Sequence, residues 1–155
     1  MLRRLSRQTL TVPWPWLPRL PAVARVFALV AGLGLVATLA VAAWLTPNQQ
    51  GFGTHRQLGL PQCTVLELFH VRCPTCGMTT SWAYTVRGQL GQAASANCGG
   101  MLLAVLAILA APWLLVSAVR GSWLGGAPSP KIALTLMGCV FGVTLLDWSV
   151  RLLTR

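Results

Sequence analysis

Residues 99–119 read GGMLLAVLAILAAPWLLVSAV and contain no charged side chain. A helix of this length rises about 30 Å, the thickness of the hydrocarbon core of a bilayer. Pro112 lies inside the run and should kink the helix, which membrane helices tolerate, and Arg120 closes the run. The stretch therefore predicts a transmembrane helix and, with it, an integral membrane protein.

Two further apolar runs flank this one, at residues 26–45 and 132–150. Of the 155 residues, 55% are hydrophobic and only 9% are charged, whereas soluble domains carry about 25% charged residues. We therefore predict an all-α integral membrane protein with three transmembrane helices in contact with membrane lipids. The connection 46–98 is too broken to span and should form short interfacial or re-entrant helices. The connection 120–131 is a short loop.

Small and charged residues in the spans predict how the helices pack. Gly32 in the first span and the Gly138/Gly142 pair in the third allow a close approach of a second helix. Asp147 and Arg151 are four residues apart and should form a structural ion pair. These faces favour a protein partner or a homo-oligomer. Cys139, between the two glycines, is expected to be a small packing residue.

The segment 1–25 is basic and rich in proline and tryptophan, as is typical of residues at the headgroup layer. A rival interpretation makes residues 26–39 the apolar part of a signal peptide with a cleavage site at 40–42, which would remove the first helix. The net charge of +10 does not favour nucleic acid, because the basic residues are scattered and no nucleic-acid motif is present. Anionic lipid headgroups are the expected counter-charge.

Basic residues also predict the orientation. With the N-terminus in the cytoplasm, seven basic residues lie inside and five outside, which agrees with the positive-inside rule. The inner residues are Arg3, Arg4, Arg7, Arg19, Arg25, Arg120 and Lys131, and the outer ones are Arg56, Arg72, Arg87, Arg151 and Arg155. The connection 46–98 and the tail 151–155 are then outside, in a compartment where a disulfide can persist.

The outer connection contains the sequence Cys73-Pro74-Thr75-Cys76-Gly77. Proline suits the first turn of a helix, so we predict a helix with Cys73 as its N-cap, Cys76 in its first turn and an end near Gly88. Both sulfurs would lie on one side of this turn. The helix N-terminus and the neighbouring Arg72 should both favour a thiolate at Cys73. A second short helix is expected at 89–97.

The pattern CPxCGxT before an apolar span resembles a family of bacterial membrane proteins known only as domain-of-unknown-function family 2752. The resemblance covers about residues 60–120 and rests on Cys73, Pro74, Cys76, Gly77, Thr79, Gly88 and Asn97. Two positions depart from the family pattern, Thr80 where arginine is usual and Cys98 where proline is common. The family has no established activity. The resemblance implies a location in the bacterial inner (cytoplasmic) membrane.

Three functions remain open for the cysteines. The first is a structural Cys73/Cys76 pair in an accessory or scaffold subunit of a membrane complex. The second is a membrane thiol–disulfide oxidoreductase, in which Cys73 is the nucleophile and Cys76 the resolving thiol, with Cys63 and Cys98 as a second pair. The third is a site for zinc or another metal or cofactor, with candidate ligands Cys63, Cys73, Cys76, Cys98 and His70, and His55 as a further candidate.

The acidic residues exclude one class of enzyme. Glu67 and Asp147 are the only two acids in the chain, and Asp147 is expected to pair with Arg151. Paired-carboxylate catalysis is therefore excluded. His70 precedes Cys73 by three residues and could also act as a base toward it. No cofactor is required by the sequence, and no single activity follows from it.

Overall fold

The computed structural model describes residues 19–154, which form six α-helices and one short 3₁₀ helix. Most of the predicted N-terminal segment, residues 1–18, and Arg155 lie outside the described residues. The helices are α1 (Ala22–Trp44), α2 (Thr64–Phe69), α3 (Met78–Thr85), α4 (Leu90–Ala96), α5 (Cys98–Arg120) and α6 (Pro130–Leu153), with the 3₁₀ helix at Thr54–Leu58. No strand occurs between residues 19 and 154.

Three of these helices are long and apolar enough to cross a membrane, which confirms the predicted fold class. The most apolar windows of α1, α5 and α6 have mean hydropathies of 2.5, 2.5 and 1.6. Only 17%, 28% and 11% of the residues in these windows are buried within the chain. Apolar surface on this scale needs a covering, which suggests contact with membrane lipid. The helices begin one to four residues before the predicted spans and, for α5 and α6, end one to three residues after them.

The central span is α5, because both α1 and α6 pack on it. Gly32 of α1 lies where an added Cβ would come 2.8 Å from the Leu115 side chain of α5. At the other crossing, a Cβ on Gly99 would fall on the Thr144 hydroxyl of α6. The close approach expected at Gly32 is thus found within the chain. Gly138 and Gly142, in contrast, have no atoms within 4 Å of an added Cβ, and Cys139 between them is exposed rather than packed.

Helices α3 and α4 lie across the start of α5 and cover it. The Ser81 hydroxyl is 2.9 Å from the carbonyl oxygens of both Ala93 and Asn97. Tyr84, Ala93 and Ala96 form a buried cluster. Glycine at position 100 lets α5 approach α3, since a Cβ there would be 3.2 Å from Met78 and Ser81. The short helices are therefore anchored to the spans.

Arginine side chains bind the carboxyl-terminal carbonyls of three helices. Arg87 donates to Ala43 and Leu45 at the end of α1, at 2.8 Å each. Arg25 donates to Ala118 of α5 at 2.6 Å, and Arg151 donates to Ala96 of α4 at 2.9 Å. The last carbonyls of a helix lack intrahelical partners and carry the negative end of the dipole, so a guanidinium stabilises each end.

The start of α1 and the α5–α6 loop lie at one end of the bundle. The Leu20 amide donates to the Gly121 carbonyl at 2.8 Å, and Arg19 pairs with Ser122 in an isolated antiparallel bridge. At the same end, Trp113 of α5 and Trp123 of the loop stack with ring centroids 5.1 Å apart. The CPTCG turn lies in the connection between α1 and α5, and hence at the opposite end.

Candidate functional site

The CPTCG stretch forms a turn that precedes helix α3. The Cys76 amide donates to the Cys73 carbonyl at 3.0 Å, and the Met78 amide donates to the Thr75 carbonyl at 3.1 Å. The helix begins only at Met78, with Gly77 as its N-cap. The prediction that Cys73 is the N-cap and Cys76 lies in the first helical turn is therefore wrong. The physical reason is Gly77, whose φ of 90° is left-handed and interrupts a helix.

Gly77 is also packed too tightly to carry a side chain. An added Cβ would lie 2.5 Å from the Ala96 carbonyl oxygen and 2.6 Å from that of Gly51. Real Cβ atoms do not approach backbone oxygens so closely, and both neighbours are main-chain atoms that cannot rotate away. The turn is therefore wedged between the loop after α1 and the end of α4.

Asn97 holds the turn against α5. Its side-chain amide nitrogen donates to the Pro74 carbonyl at 2.9 Å and to the Cys76 carbonyl at 3.3 Å. Its side-chain oxygen accepts from the Gly100 amide at 2.7 Å and so caps α5. The residue is only 3% exposed, so its own polar atoms lie out of water, where an unmet polar group is costly. One side chain thus fixes both the start of a span and the cysteine turn.

The turn and the start of α2 bring three cysteines together. The Sγ atoms of Cys73 and Cys76 are 3.1 Å apart, and those of Cys63 and Cys73 are 3.5 Å apart. All three sulfurs lie within 4.8 Å of one another, and each residue is partly exposed. Cys63 precedes the first residue of α2. All three are free thiols. We call this group the thiol cluster.

The cluster separates the acidities of two of its thiols. Burial alone would raise the pKa of Cys73, but hydrogen bonds with the Thr75 hydroxyl and the thiols of Cys76 and Cys63 outweigh it and lower the pKa to about 7. Burial and hydrogen bonds with Cys73 and Cys63 raise the pKa of Cys76 to about 12. At neutral pH the cluster therefore holds a substantial fraction of thiolate, on Cys73.

The helix N-terminus that was predicted to favour the Cys73 thiolate lies elsewhere, because the helix begins five residues later, at Met78. The Arg72 guanidinium lies 4.3 Å from the ring centroid of Phe52, and its effect on Cys73 stays a prediction. Hydrogen bonds within the cluster lower the pKa of Cys73.

A cavity of about 510 Å³ opens onto the thiol cluster. Its other walls come from the loop after α1, the 3₁₀ helix and α3, and include Asn48, Gln50, Phe52, His55, Arg56, Leu66, Met78 and Thr79. His55 Nε2 lies 3.1 Å from the Pro61 carbonyl oxygen. The cavity is open to a small ligand, and two basic residues, His55 and Arg56, line it together with the thiols.

Two of the five predicted metal ligands lie outside the cluster. Cys98 is the first residue of α5, where its Sγ contacts the Ala94 carbonyl at 3.3 Å and its amide faces Asp147. His70 ends α2 in a left-handed conformation with φ of 53° and is exposed. A second redox pair of Cys63 and Cys98 is not formed, because Cys63 belongs to the cluster and Cys98 does not.

Asp147 and Arg151 form the expected ion pair, with 2.9 Å between Oδ2 and a guanidinium nitrogen. Thr80, the departure from the family pattern, is fully buried and its hydroxyl lies 2.7 Å from that of Thr54. A threonine at this position thus joins α3 to the 3₁₀ helix at Thr54.

Two side chains have roles that the sequence patterns above do not assign. Asn97 belongs to the family pattern, but an asparagine directly before an apolar run is also a recognisable N-cap. The Trp148 Nε1 donates to the Arg72 carbonyl at 2.6 Å and fixes the residue before Cys73 to α6. No local sequence pattern connects residues so far apart.

Residues 63–111 match the model of a family described as a protein of unknown function, DUF2752. The matched segment starts at the first cysteine of the thiol cluster and extends into α5. The resemblance predicted from the CPxCGxT pattern is confirmed. No curated protein and no solved structure matches the chain.

Proposed function

We propose that this small membrane protein, whose residues 63–111 match a family without a known activity, binds one thiophilic metal ion through Cys63, Cys73 and Cys76. The observation that carries the proposal is the mutual approach of three sulfurs within 4.8 Å at the edge of an open cavity. A dithiol enzyme or a disulfide staple uses two cysteines. A metal ion uses all three.

The geometry requires little change on binding. Thiolates about 2.3 Å from zinc lie about 3.8 Å from one another in a tetrahedral site, so sulfurs now 3.1 Å and 3.5 Å apart separate by less than about 1 Å. Three thiolates favour Zn²⁺ or Cu⁺ over harder ions. Zinc would take its fourth ligand from solvent or a second molecule in the cavity. Arg56 adds a positive charge to the wall of the same cavity.

The test is the metal content of the purified, reduced chain and its single cysteine variants. Wild type and the variants Cys98→Ser and Cys139→Ser should each retain one equivalent of zinc after dialysis against trace metal. Cys63→Ser, Cys73→Ser and Cys76→Ser should each lose most of it. Equal loss in Cys98→Ser, or no retained metal in the wild type, would contradict the proposal.

Thiol–disulfide exchange is a second candidate, favoured by the 3.1 Å approach of a thiolate-prone Cys73 to a protonated Cys76. The Cys73 thiolate would attack a disulfide of an oxidised protein and release one thiolate. Cys76 would then lose its proton, attack the mixed disulfide and release the second thiol, which leaves Cys73 and Cys76 oxidised and the partner reduced. A mixed disulfide that accumulates in Cys76→Ser but not in Cys73→Ser would support this function.

An accessory or scaffold subunit is compatible with either chemistry. The observation in its favour is the open Gly138/Gly142 face of α6, which no described residue fills and which suits a helix of another subunit. Extraction in a mild detergent should then yield a complex larger than the monomer, and Gly142→Leu should dissociate it. If the wild-type chain and Gly142→Leu are both monomeric, the subunit role is contradicted.

For the orientation we propose a cytoplasmic N-terminus and a thiol cluster on the outer face of a bacterial inner membrane. The basic residues support this, as they are more numerous on the α5–α6 loop side. A periplasmically active reporter fused after Gly59 should be active, and the same reporter in the 121–129 loop should be inactive. The reverse pattern would overturn the orientation.

A further inference from the structure

A polar cleft of about 400 Å³ opens between the loop after α1 and helix α4, and Tyr84 of α3 also lines it. Its polar side chains are the amides of Gln49, Gln89 and Gln92 and the hydroxyls of Tyr84 and Ser95. Among residues 19–154, no charged residue lines this cleft. Its volume lies within the range of roughly 300–1,000 Å³ that small-ligand sites occupy. We call it the amide cleft.

Tyr84 is the buried residue of the amide cleft, and its hydroxyl has no partner within the described part of the chain. The residue is only 8% exposed and packs with Ala93 and Ala96 of α4. Every fully buried side-chain nitrogen or oxygen between residues 19 and 154 has a hydrogen-bond partner. The Tyr84 hydroxyl forms no such bond and is therefore accessible. A buried tyrosine normally uses its hydroxyl in a hydrogen bond, so this hydroxyl is available to a ligand.

The walls of the amide cleft are held in place without a ligand. The Ser81 hydroxyl of α3 donates to the Ala93 carbonyl of α4 at 2.9 Å. The loop after α1 packs on the end of α4, since an added Cβ on Gly51 would lie 3.7 Å from the Ala96 Cα. The three glutamine side chains are exposed and form no hydrogen bond with any described residue. A ligand therefore meets a formed cleft and does not have to break protein contacts to bind these amides.

The polar groups of the amide cleft determine the chemistry of its ligand. A side-chain amide has two N–H donors and an acceptor oxygen, and a hydroxyl both donates and accepts. The hydroxyls of a sugar also donate and accept, so neighbouring sugar hydroxyls can pair with these groups. A charged ligand would find no counter-charge in the cleft. A peptide would find no pockets for apolar side chains, because Pro47 contributes the only aliphatic side chain of the lining.

We propose that the amide cleft binds a neutral sugar. The cleft lies beside the end of α1 and the start of α5, so the sugar is either the headgroup of a glycolipid or a free saccharide. The loop after α1 separates the cleft from the thiol cavity, since Gln49 and Gly51 line the cleft whereas Asn48 and Gln50 line the cavity. The two share no lining residue, so this inference is independent of metal binding.

The test measures binding to the full chain by isothermal titration calorimetry. A polyoxyethylene detergent is used, because the headgroup of a glycoside detergent would itself compete for the cleft. The three added compounds are maltose, a short-chain monoglucosyl diacylglycerol and trialanine. Binding of the glucosyl lipid alone would support the proposal with a glycolipid as the source, and binding of maltose would support it with a free saccharide. Binding of neither sugar, or of trialanine alone, would overturn the proposal.

Variants of single side chains locate the binding site. Tyr84→Phe removes a hydroxyl without a protein partner and keeps the packed ring, so the melting temperature should stay the same. The sugar Kd should rise about fivefold, because one hydrogen bond to the ligand is lost. Gln92→Ala, at an exposed position of the cleft, should give a similar rise. Gln62→Ala, at an exposed position outside the cleft, should bind as wild type.

The variants also show which result refutes the site. Wild-type affinity in Gln92→Ala would refute it even if Tyr84→Phe failed to fold. An equal loss of affinity in Gln62→Ala would show that the sugar does not bind in the amide cleft.

Discussion

Replacement of Asn97 by aspartate tests how one side chain supports both the membrane helix and the cysteine turn. Aspartate keeps the oxygen that accepts from the Gly100 amide at 2.7 Å. It removes the nitrogen that donates to the Pro74 and Cys76 carbonyls at 2.9 Å and 3.3 Å. The cap on α5 therefore survives, whereas the contact with the turn becomes a contact between oxygens.

The expected loss of stability follows from these contacts. Each lost hydrogen bond costs about 1 kcal/mol, and the partly buried carbonyls left without a donor add about 1 kcal/mol more. The negative charge of the aspartate at the N-terminus of α5 stabilises the folded state by about 0.5 kcal/mol. The net loss is about 2–3 kcal/mol, which corresponds to a fall in the melting temperature of about 5–10 °C for a chain of this size.

The assay is thermal unfolding in detergent, accompanied by zinc titration of the reduced protein. Because the turn is no longer held before the metal arrives, the zinc Kd should rise about tenfold, which is 1.4 kcal/mol. For the melting temperature, Asn48→Asp is the matched control, since the Asn48 side-chain oxygen accepts from the Gln50 amide and aspartate preserves that bond. If Asn97→Asp and Asn48→Asp melt within about 2 °C of each other, the reasoning about Asn97 is refuted.

Three further predictions concern the turn, the cluster and the helix ends. Gly77→Ala should destabilise the protein by more than the roughly 1–2 kcal/mol that a left-handed alanine costs. Gly88→Ala, at a position with φ of 73° and no atom within 4 Å of an added Cβ, should cost only that amount. Equal melting temperatures of the two variants would contradict the crowding at Gly77. In metal-free protein, iodoacetamide should modify Cys73 with a midpoint near its pKa of about 7, and Cys76 should stay unreactive through pH 9 because its pKa is raised to about 12. Because the pKa of Cys73 is lowered from 9.0, the stability that its thiolate contributes is present above pH 9 and is lost as the pH falls through 7. A midpoint of Cys73 modification near pH 9 would refute the lowered pKa. Arg87→Met should lower the melting temperature by about 5–10 °C, because the charge-assisted bonds to the end of α1 are lost. Arg120→Met, at an exposed helix end, should change the melting temperature little. Similar decreases in melting temperature in both variants would argue against the stabilisation of α1 by Arg87.

The three spans could be predicted because the signal lies in long local runs. Uncharged stretches of about twenty residues leave few alternatives to a membrane helix. The helix boundaries differ from the predicted ones by a few residues, since the N-cap Asn97 of α5 and the first residue Pro130 of α6 decide them and lie outside the apolar runs.

The cysteine turn could be predicted only in part. Pro74 favours a helix start, but the two carbonyls that crowd Gly77 come from residues 51 and 96, and no local pattern reveals them. Cys63 and Cys98 were equivalent candidates in the sequence. Tertiary packing separates them, because α2 brings Cys63 to the turn while Asn97 directs Cys98 into the start of α5 beside Asp147.

The most direct test of the central claim is X-ray absorption spectroscopy at the zinc edge of the reduced, zinc-loaded protein. Coordination by Cys63, Cys73 and Cys76 predicts three sulfur scatterers at about 2.3 Å and one lighter atom at about 2.0 Å. Cys139→Ser should give the same spectrum, and Cys63→Ser should show one sulfur fewer. A shell of nitrogen and oxygen alone, or a sulfur count unchanged in Cys63→Ser, would contradict the claim that these three thiols form one metal site.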